Sequence, residues 1–159
     1  MTVPVPLRLR SAAALVPADT GAVADVGAGH GALAALLAMR GVPRVIATEA
    51  AVGPLRELRQ NLDSWRLGSR VEVRFGDGLD VLVPGEVELA VIAGLGAHTV
   101  LGIAEAAPSR GVRRLILQCM QREHLVQPWL HARGWVEIAA TRCVQRGRGY
   151  TTHLVEVGG

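Results

Sequence analysis

Three carboxylates stand where the chain reads as the ends of successive strands: Asp25, Glu49 and Asp77. Asp25 lies two residues ahead of three alternating glycines, Gly27, Gly29 and Gly31, in the stretch DVGAGHG. Glycine permits positive φ and lets a backbone come close to a ligand, so a loop this bare suits a nucleotide-like cofactor. Gly27-Ala28-Gly29-His30-Gly31-Ala32 also satisfies the dinucleotide pattern G-x-G-x-x-A, so the loop alone does not separate S-adenosylmethionine from NAD. The acids discriminate better. In enzymes that use S-adenosylmethionine, an acid at the place of Asp25 helps hold the cofactor's cationic amino-acid end. Glu49, twenty residues beyond Gly29, can accept both ribose hydroxyls of either cofactor. Asp77, in RFGDGLD, is placed to accept from an adenine amino group, a methyltransferase habit. Each acid alone could be a helix cap or a turn residue; three at successive strand ends are harder to explain that way. Their neighbours Ala28, Ala50, Gly78, Ala93 and Gly94 complete the expected cofactor-binding set.

Periodicity supplies the elements that must carry these residues. Residues 5–15 read as a short amphipathic helix, Val23–Val26 as a buried strand and Ala32–Arg40 as a helix stopped by Gly41 and Pro43. Val45–Thr48, Val71–Phe75, Val87–Ala93 and Leu115–Gln118 read as further strands. Helices are expected over Pro54–Trp65, about His98–Ala107 and about Arg122–Arg133. The tail holds two strands around a Gly-Arg-Gly turn with no helix between them, which is a hairpin. Strand alternating with helix implies a mostly parallel sheet with right-handed crossovers. The expected fold is therefore α/β, a Rossmann-like, seven-stranded sheet closed by an antiparallel hairpin, with helices on both faces. That closing hairpin is how class I S-adenosylmethionine-dependent methyltransferases end, and many NAD-binding domains do not. In such sheets ligands bind at the carboxyl ends of the strands, which is where the three acids stand.

With 159 residues, half of them apolar, one domain over 1–159 with one core is expected. No apolar run approaches the roughly 18 residues of a membrane span, and the opening residues lack a signal-peptide pattern, so a cytoplasmic protein without membrane contact is expected. Cys119 and Cys143 have no motif spacing and read as reduced core residues; no metal site is expected. The net charge is +3, all 17 basic residues being arginine. Guanidinium groups bind phosphate bidentately and stack on bases, which is compatible with RNA, whereas 3% aromatics argue against an aromatic stacking platform.

Taken in order, these segments resemble the bacterial TrmK family, methyltransferases that modify N1 of adenine 22 in tRNA. The resemblance runs from about Arg8 to Val157. It is carried by Arg8-Leu9, by Asp25-Val26-Gly27 with His30, and by Glu49 followed by Gly53-Pro54 and Asn61. It continues through Gly78-Leu79, IAGLG at 92–96, LILQ at 115–118, Arg122-Glu123 with Trp129-Leu130, and Tyr150. The resemblance implies S-adenosylmethionine as cofactor and tRNA as partner. It also implies a helical C-terminal domain, which is not expected in this chain. Departures fall on the substrate side. Gly29 stands where the family has an aspartate, Ala97 where it has a second glycine, Cys119-Met120 where it has Pro-Asn, and Thr151 where it has an acid.

Methyl transfer from a sulfonium needs alignment more than acid–base help, and adenine N1 as nucleophile leaves a cation that requires no general base. His30 could orient the acceptor or take a proton, or it could simply cap the helix that follows. The glycines of the fourth loop, ending at Gly96, leave room for the acceptor. Arg8, Gly96, Gln118, Arg146, Arg148 and Tyr150 are the expected substrate-binding residues; Arg142, Arg146 and Arg148 cluster at the hairpin turn and could follow an RNA backbone. Arg113 and Arg114 fall on the opposite rim. Alternatives are a methyltransferase-fold enzyme acting on another substrate, or a non-catalytic partner-binding domain; oligomeric state is not legible.

Overall fold

The computed structural model describes residues 2–158. Helix α1 (Leu7–Ala14) precedes strand β1 (Ala22–Val26), and then β2 (Arg44–Glu49), β3 (Val71–Phe75), β4 (Leu89–Leu95) and β5 (Arg114–Cys119) alternate with α2 (Ala32–Met39), α3 (Val52–Ser64), α4 (Ala97–Ala104) and α5 (Val126–Arg133). Strands β6 (Val136–Gln145) and β7 (Arg148–Glu156) close the chain as a hairpin. Together they form one seven-stranded sheet in the order β3-β2-β1-β4-β5-β7-β6. Every pairing from β3 to β5 is parallel, and β7 is antiparallel to both β5 and β6. The expected Rossmann-like architecture with its closing hairpin is the one found.

Alternation along the central strands sends side chains to two cores. Val23, Val45, Val91 and Ile116 meet α1, α2 and α3 on one face. Ala24, Ile46, Ala90, Ile92, Leu115 and Leu117 meet α4, α5 and the Trp135 region on the other. Strands buried on both faces read as nearly continuous apolar runs, as β1 and β5 do apart from Asp25 and Gln118. Helix α3 shows the opposite pattern: Leu58 and Leu62, one turn apart, are its buried residues, and its charged residues face outward. Helix α2 is apolar along its length because it lies between the sheet and two other helices. Its start is fixed by packing: Gly31 has φ +87°, and a Cβ there would lie 2.6 Å from Leu58 Cδ1.

Three expectations are corrected. The hairpin turn is Arg146-Gly147, not Gly-Arg-Gly; both residues have positive φ (52° and 75°), the requirement of a two-residue type I′ turn. Strand β4 starts two residues later than expected and runs on to Leu95, with Gly94 as an extra residue where the register against β5 shifts. The helix expected from Arg122 begins later, because Arg122 itself is left-handed (φ 56°); a 3₁₀ turn over Glu123–Leu125 leads into α5. Cys119 is buried, and that burial, with Glu123 nearby, pushes its thiol up to about 11. Such a thiol is unreactive at neutral pH, in keeping with a core cysteine. Among the described residues no helix is long and apolar enough to cross a membrane.

Candidate functional site

The parallel register brings the carboxyl ends of β1, β2 and β4 side by side, with Asp25 level with Ala47 and Val91. Above those ends lies a cavity of about 550 Å³. Its size and mainly apolar lining suit a small-molecule or cofactor site. The glycine loop forms one wall. Ala28 N–H donates to the Thr48 carbonyl (2.9 Å) and Gly31 N–H to the Ala28 carbonyl (2.9 Å), so the loop is pinned to β2 before α2 begins.

The polar groups are sparse and placed. Glu49, at the end of β2, accepts from Gly29 N–H (3.1 Å) with one carboxylate oxygen, and from Ala50 and Ala51 N–H (2.8 and 3.0 Å) with the other. Three backbone donors thus fix its orientation, and a carboxylate retains further lone pairs for a ligand hydroxyl. Asp25 is 4% exposed. It accepts from Ala34 N–H in the first turn of α2 (3.1 Å) and makes no salt bridge among the described residues. Burial pushes its carboxyl up from 3.8 to about 7; the Ala34 hydrogen bond opposes this, Glu49 adds to it and Arg8 opposes it. A buried acid with no direct salt bridge is poised for a cationic group, whose arrival favours the ionised form.

Of the residues expected at the site, Arg8, Asp25, Gly27, Ala28, Gly29, His30, Glu49, Ala93 and Gly94 line this one cavity. Ala50 contributes its N–H to Glu49 rather than a wall. Asp77 and Gly78 lie beyond β3 and outside the lining, with Asp77 exposed. Gly96 is the N-cap of α4 and sits against Gln121. Gln118 is not available to a substrate: it is fully buried, donates to the Arg8 carbonyl (2.8 Å) and Thr152 Oγ1 (2.7 Å), and accepts from Arg8 Nη1 (3.3 Å). Tyr150 is buried beneath the Arg148 guanidinium, 5.7 Å above its ring. Arg148 also donates to the Met120 carbonyl; Arg146 stands exposed on the turn and Arg142 packs over Gly149. The hairpin tip therefore lies on the same rim of the sheet as the cavity. His30 is at the mouth, its side chain 76% exposed, with Nδ1 2.7 Å from Glu57 Oε1.

Several lining residues carry no signal of their own in the sequence. Pro4, Pro6 and Leu9 come from the N-terminal segment, which folds over the strand ends, and Trp65 comes from the end of α3. Asn61, legible only as part of a family spacing, holds the loop from behind by donating to the His30 carbonyl (2.9 Å).

Comparison with known proteins agrees with this geometry. A methyltransferase-domain family model matches residues 5–152. The tRNA (adenine(22)-N(1))-methyltransferase of Bacillus subtilis is 31% identical over 155 residues, 95% of this chain. The chain spans 64% of that protein's length. The crystal structure of the B. subtilis m1A22 tRNA methyltransferase TrmK superposes with a TM-score of 0.89 at 28% identity, over 99% of this chain and 68% of that one. A Streptococcus pneumoniae protein solved in complex with S-adenosyl-L-methionine gives the same TM-score at 30% identity, over 98% of this chain and 74% of that one.

Proposed function

The chain belongs to the methyltransferase-domain family, in its TrmK branch, and from that premise we propose that it binds S-adenosylmethionine and transfers the methyl group to N1 of an adenine in tRNA, in the cytoplasm. The observation that carries the reading is the pairing of Asp25, buried and without a salt bridge among the described residues, with Glu49, fixed by the glycine loop, in one cavity.

The cavity fits the cofactor's parts in turn. Asp25 holds the ammonium of the amino-acid end, and Glu49 accepts from the ribose hydroxyls. The bare backbone at Gly27–Gly29 allows close approach between them. Asp77 and Gly78, outside the cavity lining, offer the adenine a polar contact from the β3 side. When bound, the cofactor supplies a methyl group already activated by a positive sulfur. The chain's residues supply position and dryness: Pro4, Pro6, Leu9, Leu33, Leu95 and Trp65 are apolar walls, and exclusion of water strengthens the ion pair at Asp25. The acceptor nitrogen enters with its own lone pair, so no side chain needs to remove a proton first. His30 Nδ1 is held by Glu57, which orients the ring so that Nε2 can meet the acceptor. Arg146 and Arg148 on the hairpin contact the RNA backbone, with Tyr150 supporting Arg148.

A second reading, the same chemistry on another acceptor, is favoured by one feature: Gly29 offers no carboxylate to stabilise a developing positive charge on adenine. Incubating the protein with unmodified tRNA and methyl-labelled S-adenosylmethionine, then analysing nucleosides, decides between them. N1-methyladenosine supports the first reading, and cofactor binding without it supports the second.

A further inference from the structure

Beside the cofactor cavity lies a second hollow, a groove of about 420 Å³ between the N-terminal segment and the hairpin tip. We infer that it takes one unstacked nucleotide of the RNA strand that carries the reacting base, with the phosphate held by Arg10 and Arg146. The inference rests on the tRNA reading of the site and adds a place where that strand is gripped.

The wall of the groove is chain held at both ends. Val3 is buried in the core at one end of the segment, and Arg8 N–H donates to Gln145 Oε1 on β6 (3.0 Å) at the other. Between them Pro4 and Pro6 have fixed φ, and with Val5 and Leu7 they present an apolar surface. A wall fixed before the ligand arrives costs little ordering on binding. Pro4 and Pro6 also line the cofactor cavity, so one short stretch of chain separates the two hollows. The arginines of α1 divide between them: Arg8 lines the cavity and Arg10 lines the groove.

The charge of the groove is one-sided. No acid lines it, while Arg10 of α1 and Arg146 of the hairpin turn do. Both are exposed and make no salt bridge among the described residues, whereas Arg44, Arg74, Arg110 and Arg133 are each paired with an acid. Arg146 also has left-handed φ (52°) at the first position of its turn, where asparagine, aspartate or glycine is the usual choice. An arginine kept on that backbone points to a use for its side chain. Leu7, 41% exposed, adds apolar surface beside these charges. An apolar wall next to two unpaired guanidinium groups fits a nucleotide. The base covers the wall and stacks on a guanidinium plane, and the phosphate accepts from both arginines. A base reaches the wall only by leaving its stack, so the fit is to looped or opened RNA rather than to a closed duplex.

Titration of labelled, unmodified tRNA with the full chain, repeated over a range of salt, tests this. Arg10→Ala should weaken tRNA binding by about tenfold at low salt and reduce the slope of log K against log salt by about 1. Leu7→Asp, which sets a like charge beside the phosphate, should weaken it at least as much. Neither residue lines the cofactor cavity, so S-adenosylhomocysteine affinity should stay within about twofold in both. Arg113→Ala removes the same charge ahead of β5, on the opposite rim, and should leave tRNA affinity within about twofold. With a blunt RNA duplex in place of tRNA, Arg10→Ala should cost no more than about twofold. A loss at Arg113 equal to that at Arg10, equal losses for duplex and tRNA, or tRNA affinity unchanged in both groove variants would overturn the inference and leave the tRNA reading standing. Should Leu7→Asp fail to fold, Arg10→Ala against Arg113→Ala decides alone. Wild-type chain that binds no tRNA would sink the tRNA reading, and this inference with it.

Discussion

Replacing Asp25 with asparagine should stabilise the ligand-free protein while removing its cofactor affinity. The Asp25 carboxyl is buried, keeps one backbone hydrogen bond and is pushed up to about 7. A folded-state value above the unfolded 3.8 means that the folded chain binds this proton more tightly than the unfolded chain. Stability therefore falls as pH rises from 3.8, and the penalty is complete above about pH 7. The gap is just over three units, so at about 1.4 kcal/mol per unit the ionised acid costs up to about 4 kcal/mol at pH 8. Asparagine is nearly isosteric, still accepts from Ala34 N–H and has nothing to titrate. Thermal melting of both proteins without ligand should show Asp25→Asn melting higher at pH 8, by roughly 10 °C for a domain of this size. The advantage should shrink by about 3 kcal/mol at pH 5, where the wild-type acid is already protonated. In the wild type, affinity for a cationic cofactor should rise as pH passes through 7, with proton uptake by solvent below it. An Asp25→Asn protein no more stable than wild type at pH 8, or an advantage that does not change between pH 5 and 8, would refute the reasoning.

Other residues give further tests. Glu49→Gln should weaken S-adenosylhomocysteine and 5′-methylthioadenosine alike, by about tenfold or more, because both carry the ribose; calorimetry with each ligand checks this. Gly31→Ala should cost about 1–3 kcal/mol in urea unfolding, since its φ is +87° and the new methyl would lie 2.6 Å from Leu58 Cδ1. Glu86 is held down to about 2, from 4.5, chiefly by its hydrogen bond to Arg74 (2.6 Å). Its contribution is therefore present above pH 4.5 and lost as pH falls towards 2, and Glu86→Gln should lower stability at pH 7 and flatten that acid limb in melting curves. Replacing Arg146 and Arg148 together by alanine should lower tRNA affinity and reduce the slope of log K against log salt by about 1 to 2, with cofactor affinity unchanged.

The parts of the site that could be read from sequence are those whose residue type is dictated by backbone geometry or by a strand end. Asp25 and Glu49 follow apolar runs too short to be anything but strands, and the glycines between them mark a backbone that must turn and lie bare. Hence β1, β2, the loop and about half of the cavity wall were legible. The hairpin was legible because two strand-like runs met with no helical pattern between, although its turn is Arg146-Gly147 and not the Gly-Arg-Gly expected. What was not legible depends on contacts distant in the chain. Gln118 lies 110 residues from Arg8, and only the fold shows that its polarity is spent inside rather than on a substrate. Pro4, Pro6 and Leu9 look like an ordinary N-terminal segment until the sheet is assembled beneath them. Gly94 reads as an open loop glycine, whereas the register shift against β5 makes it a bulge under Arg8. Arg122 looked like a helix start because its left-handed backbone leaves no trace in residue type.

The central claim is that the cavity at the ends of β1, β2 and β4 is built for S-adenosylmethionine. Calorimetric titration of the protein at pH 8 with S-adenosylmethionine and, separately, with NAD tests it most directly. The account predicts one-to-one binding of S-adenosylmethionine, abolished by Asp25→Ala, and no binding of NAD. No heat with S-adenosylmethionine at millimolar concentration, or binding of NAD in its place, would contradict it.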